Sequence, residues 1–136
     1  MGTPYERALS VAKSVYSAQV SKIEKRFSDG YATCTYATFE LGKELHKEKI
    51  GFTVCSGDYD DGGHWWILVT VDLDLKGKTC RVILDLGDNI SEKNLASGKI
   101  PMKVIKDTDP EYKKYKAENY LTWSQYQSEY RKIKNF

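Results

Sequence analysis

The chain has 136 residues, of which 40% are hydrophobic and 29% charged, and this balance is typical of one globular domain. Its formal net charge of +2 is too small to indicate a polyanionic partner by itself. No run of about 18 apolar residues occurs, and the polar N-terminus lacks the apolar segment of a signal peptide. We therefore expect a soluble, cytoplasmic protein with no membrane partner.

The three cysteines argue against two kinds of small domain. Cys34, Cys55 and Cys80 lie far apart and form no C-x-x-C pair, which disfavours both a zinc ribbon and a dense disulfide framework. In a chain without a secretory signal the expected state is three free thiols, with a single bridge between Cys55 and Cys80 left open. Paired metal-ligand spacing is also missing, so we expect no metal and no other cofactor.

Two amphipathic helices are predicted before residue 51. The capping box at residues 3–6, with proline at the first helical position, predicts the start of the first helix, and residues 28–30 predict its end. Thr33 has the hydroxyl of a helix cap, so the second helix is expected to begin there and to end before Gly51. The apolar stripe of the first helix contains Ala8, Val11, Ala12, Val15, Ile23 and Phe27, interrupted by Gln19, and that of the second contains Ala37, Leu41 and Leu45.

Beyond Gly51 the pattern changes to the alternation of β-strands. Residues 52–56 predict a short strand, which ends in Gly57 and an acidic turn. Two longer strands, at residues 64–71 and 80–85, are expected to form an antiparallel hairpin with its turn at residues 76–78. The acidic turn contains Asp58, Asp60 and Asp61, which lack the spacing of an EF-hand loop. They therefore predict a solvated loop that flanks the candidate functional site.

The last third of the chain predicts one edge strand and further helix. Residues 91–105 are weakly patterned and are expected to hold a short helical turn and an edge strand. Residues 109–111 are typical of a helix start and a second capping box occupies residues 122–125, so the extension from about residue 109 to residue 136 is predicted to be helical, in one bent helix or two. Residues 1–136 are thus predicted to form a single α+β domain, with N-terminal and C-terminal helices packed on a small antiparallel sheet.

Cys34 occupies the first turn of the second predicted helix, a position that favours a reactive thiol. Unpaired N–H groups and the helix dipole favour negative charge there and lower the pKa of a thiol. A thiolate nucleophile needs an imidazole to move protons, and the imidazole needs an acceptor that orients it. His64 follows two glycines at the start of a strand, whereas His46 lies among charged residues and is predicted to be solvated. In the hairpin the start of one strand meets the end of the next, so His64 and Asp85 are expected side by side.

These residues resemble those of a known family. The order cysteine, histidine, aspartate, the glycine before the histidine and the aromatic Trp66 two residues after it resemble the transglutaminase-like branch of the papain-like thiol enzymes, over residues 30–90. The resemblance implies that Cys34 is the acyl-accepting nucleophile, His64 the general base and acid, and Asp85 the residue that orients the imidazole. It also implies attack on an amide or ester carbonyl of a protein or peptide through a thioester. Water would resolve that thioester in a peptidase or deamidase, and an amine would resolve it in a transglutaminase.

Four further residues are candidates for the oxyanion hole or the substrate groove. The backbone N–H of Cys34 would supply one oxyanion donor, and Gln19 and Tyr31 are the candidates for the second. Trp65 and Trp66 lie on alternate faces of the strand, so one is expected in the core and the other towards a groove.

Two other functions stay open at this point. A catalytically inactive member of the same fold would bind a protein or peptide in the groove beside Trp65 or Trp66. Nucleic acid is suggested by residues 112–136, where six basic and two acidic residues stand among several tyrosines. That partner is disfavoured because Tyr126 and Tyr130 share one helical face with Ile133, which is typical of core residues. The oligomeric state is left open.

Overall fold

The computed structural model describes residues 3–28, 33–59, 62–72, 79–86 and 102–134. Across these ranges the fold is α+β, with two N-terminal helices, a five-stranded antiparallel sheet and one C-terminal α-helix. The helices are α1 (Pro4–Ser28), α2 (Thr33–Lys47) and α3 (Trp123–Lys134), and a 3₁₀ helix spans Pro110–Lys114. The strands are β1 (Thr53–Tyr59), β2 (Gly62–Asp72), β3 (Thr79–Asp85), β4 (Lys103–Lys106) and β5 (Tyr115–Leu121), in the spatial order β4-β3-β2-β1-β5. Within the same ranges no helix is long and apolar enough to cross a membrane.

The starts of α1 and α3 follow the two predicted capping boxes. The hydroxyl of Thr3 accepts a hydrogen bond from the backbone N–H of Glu6 at 3.2 Å. At α3 the box is reciprocal, because the N–H of Thr122 donates to the side chain of Gln125 at 2.9 Å and the N–H of Gln125 donates to the hydroxyl of Thr122 at 3.2 Å. Both predicted helix starts are confirmed.

The end of α2 is a turn that the sequence did not predict. Lys49 has a φ of 60°, in the left-handed region where glycine is the usual residue. The N–H of Lys49 donates to the carbonyl of His46 and the N–H of Ile50 donates to that of Leu45, both at 3.0 Å. These two bonds satisfy carbonyls of the last turn and direct the chain into β1.

The sheet separates two clusters of buried side chains. We call the side that packs against α1 and α2 the helix-covered face and the opposite side the aromatic face. The cluster on the helix-covered face is mostly aliphatic and consists of Ala8, Ala12, Val15, Ile23, Ala37, Leu41, Leu45, Val54, Ile67, Val69, Val71, Cys80, Val82, Leu84, Leu86 and Tyr126. The cluster on the aromatic face consists of Cys55, Tyr59, Trp66, Ile83, Ile105 and Tyr115. Alternation along β2 divides its side chains between the two faces as predicted.

The C-terminal region corrects the prediction of a continuous helical extension. The start at Asp109 is present, since its Oδ1 accepts a hydrogen bond from the N–H of Glu111 at 2.9 Å, but it leads only into the short 3₁₀ helix. Tyr115 then enters the sheet, because its ring is buried on the aromatic face while the backbone of β5 pairs with β1. The prediction of helix through residues 115–121 is therefore wrong, and α3 is the one α-helix described at this end of the chain.

The strand β1 is longer than predicted and continues past Gly57 to Tyr59. Gly57 pairs with His64 in β2 and, beyond a β-bulge, with Ala117 in β5. A Cβ atom on Gly57 would collide with the backbone carbonyl oxygen of Lys116. The missing side chain is what allows β5 to approach β1 at this point.

Some predictions fall outside the described residues. These are the hairpin turn at residues 76–78, most of the acidic turn and the short helical turn expected between residues 91 and 105. The edge strand expected in that last segment is β4, which pairs with β3 and is thus confirmed.

Cys55 and Cys80 are both buried, as predicted for core residues, and both are free thiols. They belong to clusters on opposite faces of the sheet, so the bridge that the sequence left open is not formed. Burial raises the pKa of Cys55 to about 12 and also raises the pKa of Cys80. Neither thiol is therefore ionised near neutral pH.

Candidate active site

The thiol of Cys34 lies in the first turn of α2 and is half-buried. The backbone N–H of Trp65 in β2 lies close enough to the sulfur to lower the pKa of the thiol. The carbonyl of the next residue, Thr35, accepts a hydrogen bond from the hydroxyl of Tyr126 at 2.6 Å, which ties the start of α2 to α3. The first turn of α2 carries no acidic residue that would oppose the helix dipole, which favours a thiolate there.

His64 and Asp85 form a buried pair. His64 Nε2 lies 2.7 Å from Asp85 Oδ2, and the two residues are 3% and 2% exposed. The pairing of Ile67 with Leu84 places Asp85, the next residue of β3, on the diagonal from His64 and on the same face of the sheet. The predicted adjacency of His64 and Asp85 is therefore confirmed.

The second ring nitrogen of His64, Nδ1, is the one available to Cys34. It is buried and makes no hydrogen bond within ordinary limits of distance and angle. The charge and hydrogen-bonding capacity of His64 nevertheless act on the thiol, and those of the thiol act on the imidazole. The two side chains are therefore close enough to influence each other but are not aligned for a hydrogen bond.

The pKa values of the two groups move in opposite directions. For Cys34, burial is the largest influence and raises the pKa, as does the charge of Asp85, but the charge and hydrogen-bonding capacity of His64 and the N–H of Trp65 outweigh them and leave the pKa below the ordinary 9.0. For His64, burial lowers the pKa, but the charge and hydrogen bond of Asp85, followed by those of Cys34, raise it to about 10. A proton shared by this pair therefore rests on the imidazole, which favours a thiolate next to an imidazolium.

Tyr115 also contacts this site, and the sequence did not indicate it. Its hydroxyl donates to Asp85 Oδ2 at 2.7 Å, and its ring centroid lies 6.3 Å from that of His64. The residue was missed because its segment was assigned to a helix. The alternation of Tyr115 and Ala117 with Lys116 and Glu118 is the signal that would have indicated a strand, with the tyrosine facing inward.

The four other predicted site residues lie in different surroundings. Gln19 accepts a hydrogen bond from the hydroxyl of Tyr36 at 2.7 Å between α1 and α2, and its role as an oxyanion donor stays a prediction. Tyr31 lies outside the described residues. Trp66 is 2% exposed and stacks beside the ring of His64 at 6.0 Å, so it covers the imidazole and offers no surface to a ligand. Trp65 is half-buried on the other face of the strand.

A cleft of about 500 Å³ lies beside Trp65, between the ends of β1 and β5 and the helix α3. The ring of Trp65 packs edge-on against Tyr126 at 5.1 Å, so the wall of the cleft is fixed to α3. Tyr120, which is 64% exposed, lines the cleft together with the carboxylate of Glu129. The other polar side chains of the cleft are Ser56, Asn119 and Gln125.

Comparisons with protein families, with curated proteins and with solved structures found no match for this chain. Among the described residues no group of three or more His, Cys, Asp or Glu side chains is arranged to hold a metal ion. Any assignment of chemistry therefore depends on the geometry of Cys34, His64 and Asp85.

Proposed function

We propose that this chain is a thiol-dependent enzyme of the transglutaminase-like type that acts on amide bonds of a protein or peptide. In this proposal Cys34 is the nucleophile, His64 the general base and acid, and Asp85 the residue that orients the imidazole. One observation carries it: a half-buried thiol at a helix N-terminus has a lowered pKa beside an imidazole whose pKa is raised to about 10 by a buried carboxylate. Activated cysteines of acyl-transfer enzymes have this combination of surroundings.

The proposed reaction starts from the thiolate and imidazolium. The sulfur of Cys34 attacks the carbonyl carbon of the substrate, and the electrons of the C=O bond move to oxygen, where the N–H of Cys34 is one donor available to it. Collapse of this intermediate expels the amine, which takes its proton from His64 and leaves a thioester on Cys34. Neutral His64 then removes a proton from water or from a second amine, whose attack releases the acyl group. Water gives hydrolysis and an amine gives transfer, and both outcomes use the same three residues.

The proposal is tested by the rate at which iodoacetamide alkylates each cysteine as a function of pH, with the modified residues mapped by mass spectrometry. We expect Cys34 to react with a midpoint below 9.0, while the buried Cys55 and Cys80 serve as internal controls. In His64→Gln the midpoint should rise above 9.0, because burial then acts on the thiol without the imidazole to oppose it. A thiol of that pKa is at most about 1% ionised at pH 7, so the rate there should fall below that of the unmodified protein.

The matched control is His46→Gln, which removes the chain's other histidine from an exposed position on α2. It should leave both the midpoint and the rate unchanged. A midpoint for Cys34 at 9.0 or above in the unmodified protein, or an unchanged midpoint in His64→Gln, would overturn the proposed enzyme function.

The cleft beside Trp65 supports a second function, in which the same fold binds a peptide without turnover. An exposed tyrosine and a half-buried tryptophan that share one concavity are typical of a ligand surface. A peptide library displayed against Cys34→Ala protein tests this function, because that variant holds the cleft and lacks the nucleophile. Binding that is lost in Tyr120→Ala, together with an unactivated Cys34, would favour the binding module over the enzyme.

A further inference from the structure

Two hydrogen-bond donors meet at one oxygen of Asp85. Oδ2 of Asp85 lies 2.7 Å from Nε2 of His64 and also 2.7 Å from the hydroxyl oxygen of Tyr115. All three residues are buried. Two donors on a single carboxylate oxygen compete for its negative charge, so the bond to the imidazole is weaker than it would be if His64 were the only donor.

The ring of Tyr115 is held in place by its neighbours. Tyr59 packs against it with ring centroids 4.4 Å apart, and Trp66 meets it edge-on at 5.1 Å. Tyr59 is fixed in turn, since its hydroxyl donates to Glu111 and accepts from Lys103, both at 2.5 Å. The hydroxyl of Tyr115 is thus held at Asp85 by packing as well as by its hydrogen bond.

We propose that Tyr115 is a positioning residue of the Cys34 site, which fixes the carboxylate of Asp85 and limits how strongly Asp85 holds the proton of His64. This inference rests on the proposed function, in which His64 must give up its proton to the leaving amine. The hydroxyl of Tyr115 bonds more strongly to Asp85 when the imidazole is neutral than when an imidazolium cancels the carboxylate charge. It therefore favours release of the proton, as an effective general acid requires.

Among the described residues, the titratable groups that face the imidazole come from four elements. They are Cys34 of α2, Asp85 of β3, Tyr115 of β5 and Tyr59 of β1, whose ring lies 5.7 Å from that of His64. Behind Tyr59, Lys103 of β4 and Glu111 of the 3₁₀ helix pair with each other at 3.7 Å. Lys114 lies 3.3 Å from the same Glu111, and all three of these charged side chains are partly exposed. Solvent therefore screens their charges, and the hydroxyl of Tyr115 is the group whose removal should be felt at the imidazole.

The test replaces Tyr115 by phenylalanine, which keeps the ring and removes the hydroxyl. Two quantities are measured: the pH midpoint of Cys34 alkylation by iodoacetamide, and the pKa of His64 followed by NMR in Cys34→Ala protein. In Tyr115→Phe the pKa of His64 should rise by about half a unit to one unit, and the alkylation midpoint should fall by a similar amount. In Asp85→Asn the pKa of His64 should fall and the alkylation midpoint should rise. Adding Tyr115→Phe to Asp85→Asn should cause no further shift, because the tyrosine acts through the carboxylate.

The matched control is Tyr112→Phe, which removes a hydroxyl from a tyrosine that packs against the same cluster and should move neither quantity. If Tyr115→Phe fails to fold, 3-fluorotyrosine in place of Tyr115 provides a stronger donor of nearly the same shape and should lower the pKa of His64. Unchanged values in the folded variants, or shifts with the sign of Asp85→Asn, would overturn the inference. A midpoint of 9.0 or above for unmodified Cys34 would instead overturn the proposed function, while the NMR titration would still decide the role of Tyr115.

Discussion

The two faces of the sheet are buried to a similar depth but hold different kinds of side chain. On the helix-covered face, α1 and α2 contribute alanine, valine, isoleucine and leucine to a mostly aliphatic cluster. On the aromatic face, three aromatic rings lie beside the buried polar pair of His64 and Asp85. Aliphatic packing stabilises the fold without directional contacts, whereas a buried charge is tolerated only when it is paired. Cys34 belongs to α2, which packs on the helix-covered face, and His64 lies on the aromatic face. The proposed pair of Cys34 and His64 therefore requires both sides of the sheet.

The largest effect is expected from a truncation on the helix-covered face. Leu41 is 1% exposed at the centre of α2, so Leu41→Ala should lower the free energy of unfolding by about 2–5 kcal/mol. The measurement is urea unfolding, and Leu68→Ala is the control, because Leu68 is only partly buried on the aromatic face. The control should lose about half as much. Equal losses would show that partly buried packing on the aromatic face stabilises the fold as much as full burial on the helix-covered face.

Asp85→Asn disturbs the aromatic face by removing a charge while keeping the shape. The imidazolium of His64 loses its ion pair in a buried site, so the free energy of unfolding should fall by about 1–3 kcal/mol at pH 7. The midpoint of Cys34 alkylation should rise at the same time. In folded Leu41→Ala protein that midpoint should stay unchanged. Asp58→Asn, at an exposed position of β1, should change neither quantity. A loss of stability without a change in the midpoint would separate Asp85 from the thiol.

Gly42→Ala adds a methyl group to the helix-covered side. The added carbon would overlap the indole of Trp123, which is packed against Phe39 and Phe52 at ring distances of 5.6 and 5.7 Å. Because this overpacking forces α3 to move, we expect a loss of about 1–3 kcal/mol in the free energy of unfolding. Gly51→Ala is the control, since its Cβ would meet open space. A Gly42→Ala protein of unchanged stability would show that Trp123 repacks freely.

The pH dependence of stability depends on both faces at once. In the unfolded chain His64 and Cys34 have pKa values near 6.5 and 9.0, whereas in the fold the proton rests on His64 and has left Cys34. Between the lowered pKa of Cys34 and pH 9.0 the folded pair holds its one proton on His64 and the unfolded pair holds its one proton on Cys34, so the contribution of this pair to stability should be flat. Above pH 9.0 the folded state retains the proton of His64, and stability falls as the pH rises towards 10.

Cys34→Ala removes the equality in bound protons between the folded and unfolded states, and the pH dependence of its free energy of unfolding measures the effect. Without the thiol, the raised pKa of His64 means that the folded state binds one proton more than the unfolded state above pH 6.5. Relative to the unmodified protein, the free energy of unfolding should then decline by up to about 1.4 kcal/mol per pH unit as the pH rises towards the pKa of His64. Urea titrations at four pH values would show this slope. Parallel curves for the two proteins would mean that no proton moves between Cys34 and His64 on folding.

Much of the site could be predicted because it depends on local signals. A helix that begins at Thr33 places Cys34 in its first turn, and the register of β2 and β3 brings His64 and Asp85 together. Both signals belong to the strongly patterned segment from residue 33 to residue 85. The prediction of one buried and one groove-facing tryptophan followed from strand alternation in the same way.

The missed part of the site belongs to a strand with weak local signals. β5 lies at the edge of the sheet, and only Tyr115 among its residues is fully buried, so its pattern resembles that of a solvated helix rich in lysine and tyrosine. Its placement is decided by pairing with β1, which lies more than 50 residues earlier in the chain. Tyr115 could not be connected to Asp85 without that long-range contact.

Gly57 has a consequence for how mutational data on this protein would be read. It pairs with His64, and any side chain there would strike the carbonyl of Lys116 and separate β5 from β1. In a saturation screen selected for activity, every substitution at Gly57 should therefore be depleted as strongly as substitutions at His64. Sensitivity to substitution alone would rank the glycine as catalytic, although its contribution is to let the strand that carries Tyr115 approach closely enough to reach Asp85.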